Sequence, residues 1–167
     1  MNAYPLLAGA RVLERNNNLI SHIHDDVLPD EACTMKAMFL LYGFALESLL
    51  KACYLKRGGK LIVNNTFKSI KDVGMHNLVG LAKAADLSLS SSESDALKKL
   101  SVQITSFARY PIGKKFHDEN PIKTSDDRLV SPNSFNSIDV KILEEVVKKI
   151  GIIVGFDFSN SSLTPIA

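Results

Sequence analysis

The sequence predicts an all-α fold, an antiparallel bundle of about five helices built round a long central second helix. Apolar residues recur at helical spacing in five separate stretches, without the strict alternation of strands. Breakers separate those stretches: Pro29-Asp30, Gly58-Gly59, Ser88-Leu89-Ser90-Ser91-Ser92 and Pro111. The 167 residues, 46% hydrophobic and 23% charged, are enough for one covered core and give no sign of a second. One domain is expected over 1–158, followed by a frayed tail over 159–167.

The first helix is expected from Leu6 to about Val27, where Leu6, Leu13, Ile20, Ile23 and Val27 keep one face. The second begins after Pro29-Asp30, a break with an acidic cap, and runs to Arg57, where Gly58-Gly59 supplies a left-handed stop. Met35, Met38, Phe39, Tyr42, Leu46, Leu49, Leu50 and Cys53 form its stripe, while Leu40, Leu41, Phe44 and Ala45 make the rest apolar too. A helix apolar nearly all round is central, or buries a face against another chain. Lys60 to Gly74 shows no sustained period and reads as a connection with a short strand-like or helical piece.

A short third helix is expected from about His76 to Asp86, burying Leu78, Leu81, Ala82 and Ala85. Ser90 and Glu93 have capping-box spacing for a fourth, whose stripe is Leu97, Leu100, Ile104 and Phe107. Pro111 ends it near Tyr110, since proline cannot donate to the ladder and restricts its predecessor. Residues 111–133 read as a long loop, and loops of that length invite function. The last helix is expected from about Ser137 to Gly155, with Leu143, Val146, Val147 and Ile150 inward and the pairs Glu144–Lys148 and Glu145–Lys149 outward.

Composition narrows the function classes. A net charge of +2 gives no whole-molecule field for nucleic acid or membrane, so a basic site has to be local. Cys33 and Cys53, twenty residues apart on one helix, stand roughly 30 Å from each other and cannot pair. Buried thiols in a reducing compartment fit this usage. Met1-Asn2-Ala3-Tyr4-Pro5 lacks a basic and apolar leader, and the longest apolar run, Ala37 to Leu46, is about half a bilayer span. A cytoplasmic location without membrane contact is expected, and no cofactor.

Four groups of residues carry candidate chemistry. His22, His24, Asp25 and Asp26 look like a metal cluster, but residues two apart on a helix point about 200° apart, so no metal is expected. Glu47, a rare charge in the apolar second helix, needs a partner. Lys51 one turn later can form an ion pair with it, or Glu47 can orient an active-site arginine or histidine. Between Lys51 and Lys71 lie Lys51, Lys56, Arg57, Lys60, Lys68 and Lys71 with no acid, a positive patch able to hold phosphates or simply suited to a helix C-terminus. Arg109, Lys114, Lys115 and His117 then gather beside a helix end and a long loop. Imidazole transfers protons near neutral pH and guanidinium stabilises phosphorane-like charge, so RNA cleavage through its own 2′-hydroxyl is feasible here without a metal.

The long helix with Gly43-Phe44-Ala45-Leu46-Glu47-Ser48-Leu49-Leu50-Lys51-Ala52, then His76-Asn77-Leu78-Val79-Gly80-Leu81, then Ala108-Arg109-Tyr110-Pro111 resembles the HEPN family of helical domains over most of the chain. Many members are ribonucleases of toxin, defence and RNA-processing systems, commonly acting as dimers. The resemblance implies a homodimer with RNA or a cognate protein as partner, catalytic Arg109 and His117 with Glu47 in support, and RNA contacts from Lys51, Lys56, Arg57, Lys60, Lys114 and Lys115. Seven residues separate Arg109 from His117, longer than the family's usual interval. Noncatalytic members serve as binding or assembly modules, the alternative expectation. His76 is expected to cap or contact the start of the third helix.

Overall fold

A computed structural model describes residues 3–21, 29–70, 73–74, 76–107, 120–131, 135–158 and 164–165. Among these are five α-helices: α1 (Ala3–Ser21), α2 (Pro29–Lys56), α3 (Leu78–Ala84), α4 (Ser91–Val102) and α5 (Ser137–Val154). The all-α bundle expected from the sequence is therefore the architecture observed, and α2 is its axis, packed against α1, α3, α4 and α5. Met38, Phe39, Tyr42, Ala45, Leu46, Leu49, Leu50 and Cys53 of α2 are buried, which accounts for a helix apolar on nearly every side. Thr34–Lys56 is long and apolar enough to cross a membrane by length and composition, yet 56% of its most apolar window is buried inside this fold.

α1 starts at Ala3, earlier than expected, because a proline in the first helical turn loses no hydrogen bond that the helix would have made. Its expected end over 22–27, with His22, His24, Asp25 and Asp26, lies outside the described residues. Gly58, at φ 87°, ends α2 in the left-handed conformation that glycine adopts freely. The connection after it holds a hairpin, β1 (Ile62–Val63) with β2 (Thr66–Phe67), turned by Asn64 and Asn65, both at positive φ as a type I′ turn requires.

α4 and α5 are joined by a reciprocal device that sequence spacing half revealed. Ser90 and Glu93 form the expected capping box of α4, and Asn136 and Asp139 form a second one on α5. Each capping acid also receives a lysine from the far end of the other helix: Lys149 to Glu93 at 2.7 Å and Lys99 to Asp139 at 2.6 Å. Two pairs at opposite ends fix the helices as antiparallel. Lys99 further covers the Phe135 ring, whose other neighbour is Phe39 of α2 at 4.0 Å between centroids.

Three expectations are corrected. The surface pairs Glu144–Lys148 and Glu145–Lys149 do not form. Glu144 is drawn across the bundle to Arg11 and Tyr42, Lys149 to Glu93, and Lys148 takes Glu145 at i,i+3. The stretch 111–133 is not all loop, because β3 (Ile122–Lys123) pairs with β4 (Leu129–Val130) and Asp95 of α4 anchors the turn through Ser125. α4 passes into a π-helical turn over Gln103–Phe107, where Gly43 of α2 lets Ile104 approach: a Cβ there would stand 2.6 Å from Ile104 Cγ1. Beyond the end of α5, Phe156–Asp157 pairs with Thr164–Pro165 of the tail. The fourth helix's expected end near Tyr110 lies outside the described residues, as does the side chain of Cys33.

Candidate functional site

The second half of α2 and the turn before α3 build the best-defined polar cluster near a cavity. Glu47 is 8% exposed, so its carboxylate has left most of its water and needs replacement donors. It has two. Lys51 Nζ donates to Oε1 at 2.5 Å, and His76 Nδ1 meets Oε2 at 2.7 Å. Burial alone would push the Glu47 carboxyl up; hydrogen bonds and charge from Lys51 and His76 outweigh it and hold the group below the ordinary carboxylate range.

His76 owes its position to a tight turn. Asn77 N–H donates to the Gly74 carbonyl, and His76 between them stands at φ 64°. Positive φ costs most side chains about 1–3 kcal/mol, less for histidine, asparagine and aspartate, which enter the region more readily. Asn77, not His76, is the N-cap of α3: its side chain accepts from Gly80 N–H at 2.9 Å. Leu78 N–H then donates to Ser101 Oγ, tying the start of α3 to α4. The helix is fastened on both sides, and the imidazole projects back towards α2.

Glu47, Lys51, Leu61 and His76 line two adjoining spaces. One, about 80 Å³, is closed by Ser69 and Val73; the other, about 440 Å³, runs along α2 over Phe44, Ser48 and Leu55. With Nδ1 engaged by Glu47, the proton on the imidazole is fixed there and Nε2 has no partner among the described residues. A carboxylate on Nδ1 of a partly exposed histidine, 32% accessible, leaves Nε2 able to take up a proton and, once protonated, to donate to an anion.

The residues singled out in the sequence divide three ways. Arg109, Lys114, Lys115 and His117 lie outside the described residues. Glu47 and Lys51 stand together as an ion pair, and the second partner of the Glu47 carboxylate is His76. Of the acid-free patch, Lys56 and Lys60 are exposed, but Arg57 is engaged by Asp86 through the carboxylate and the backbone carbonyl. The patch is therefore less positive than its linear sequence: Glu47 and Asp86 lie outside the stretch 51–71 and fold onto it. The signal that could have found His76 was the motif His76-Asn77-Leu78 following Gly74, where glycine and asparagine mark a turn.

A larger cleft, about 780 Å³, lies between α4, α5 and the β3–β4 hairpin, but its charges are spent internally: Lys99 on Asp139, Arg128 on Asp126, Ser125 on Asp95. Among the described residues no group of three or more histidine, cysteine, aspartate or glutamate side chains can hold a metal ion. No protein-family model, no curated protein and no solved structure matches the chain.

Proposed function

We infer that the chain is a HEPN-like, RNA-directed domain of a toxin or defence type system, working in the cytoplasm as a homodimer and cleaving or binding RNA without a metal. The observation that carries this reading is the Glu47 carboxylate holding a lysine and a histidine at the wall of a groove that runs over Phe44, Ser48 and Leu55. In the reaction, a base takes the proton of a 2′-hydroxyl, that oxygen bonds to the adjacent phosphorus, and the bond to the 5′-oxygen breaks as it regains a proton. Arg109 would stabilise the phosphate charge and His117 would move protons, as the resemblance implies.

Incubation of the pure protein with mixed RNA in chelator, at low and moderate salt, tests this. Cleavage by wild type that is lost in Arg109→Ala and His117→Ala supports the ribonuclease; RNA left intact and unbound rejects the RNA reading. The second reading is a noncatalytic partner-binding module. What favours it is the apolar surface at the same end of α2, where Leu55, Ile62 and Val63 are 48%, 68% and 40% exposed.

A further inference from the structure

We propose that His76 Nε2 and Lys51 Nζ form a binding site for the phosphate of a ribonucleotide, with Glu47 as the residue that positions both. The site is built from residues other than the Arg109 and His117 pair, and it deepens the RNA reading by naming where a phosphate sits. Both side chains hang from one carboxylate, Lys51 on Oε1 and His76 on Oε2, which brings a cation and a proton donor to the same wall of the two spaces. The carboxylate costs the site little attraction because Lys51 already neutralises it. A protonated imidazole then adds net positive charge and an N–H that points away from Glu47.

The surroundings suit a nucleotide in shape as well as charge. The smaller space, about 80 Å³, takes a few atoms beside His76 and Ser69. The larger, about 440 Å³, offers the half-buried Phe44 ring and Leu55 as an apolar floor for a base. An asparagine at 76 would accept the positive φ as well and could still donate one hydrogen bond to Glu47. That makes His76→Asn the variant that keeps the turn and removes Nε2.

The test is imidazole NMR of the full chain, titrated with inorganic phosphate, with uridine 3′-monophosphate and with a short oligoribonucleotide, the His76 signals being those missing in His76→Asn. Saturable shifts of His76 Nε2 are expected with each probe. Affinity should fall about tenfold or more in His76→Asn and in Lys51→Met, the size of one lost charge-assisted hydrogen bond. Both variants should unfold within a few degrees of wild type, which separates lost binding from lost fold. Phosphate and the mononucleotide shifting His76 in a protein that binds no RNA would support this site and reject the RNA reading. RNA bound and cleaved equally by wild type and His76→Asn would do the reverse. No saturable shift with any of the three probes overturns the proposal.

Discussion

Glu144 and Glu145 are neighbours on α5 that sequence spacing treats alike, each facing a lysine four residues on, yet the fold gives them unequal work. Glu144 receives Arg11 Nε at 2.8 Å and a terminal nitrogen at 2.6 Å, and Tyr42 Oη at 2.7 Å. Burial, with Glu144 beside it, raises the Tyr42 phenol, which stays a neutral donor, while the hydrogen bonds from Arg11 to Glu144 raise the guanidinium against its own desolvation. Replacing Glu144 by alanine removes three charge-assisted hydrogen bonds of about 1.5–3 kcal/mol each. The pair is 20% and 22% exposed and Arg11 keeps the Phe158 carbonyl, so water and the remaining partner return part of that sum. The expected loss is about 3 kcal/mol, or about 6–12 °C in Tm for a domain of this size. Glu145 and Lys148, 60% and 52% exposed, should show no measurable loss in Glu145→Ala. The assay is urea and thermal unfolding of both variants, with a double-mutant cycle between Glu144→Ala and Arg11→Ala. Coupling of at least about 1 kcal/mol is expected for partners in contact. Equal Tm for Glu144→Ala and Glu145→Ala, or strict additivity in the cycle, would refute the reasoning.

Further outcomes follow from the same packing. Gly43→Ala should cost about 1–3 kcal/mol through overpacking against Ile104, and close to nothing in an Ile104→Ala background, read by urea midpoints. Glu93→Ala should lose about 1–2 kcal/mol, since it removes both a capping partner and the Lys149 pair, whereas the exposed Ser91→Ala nearby should be silent. The Glu47, Glu93 and Asp95 carboxyls are all held below their ordinary values by hydrogen bonds that outweigh burial. Their contribution is therefore complete above the unfolded carboxyl range, near about pH 4, and is lost as pH falls through the lower folded values. Urea midpoints should drop steeply below that pH, and Glu47→Gln should flatten the slope; an unchanged slope would reject the role given to its partners.

Local chemistry determined the elements, because periodicity, prolines, glycines and capping residues act within a few positions of themselves. The run from Met38 to Cys53 announced a buried axis, Gly58 its end, and Ser90 with Glu93 the start of α4. The hairpins were fainter, since two-residue strands leave no period to read, and the capping box of Asn136 and Asp139 was written in the sequence but overlooked. Partner choice belonged to the tertiary structure alone. Which cation meets Glu144, Glu93, Asp139 or Glu47 depends on which helices lie side by side, and a charge in a helix has several sequence neighbours but one spatial surrounding. Glu47 shows the division: its apolar context told that it must have a partner, and only the turn that places His76 at positive φ decided that one of its two partners would be a histidine twenty-nine residues away.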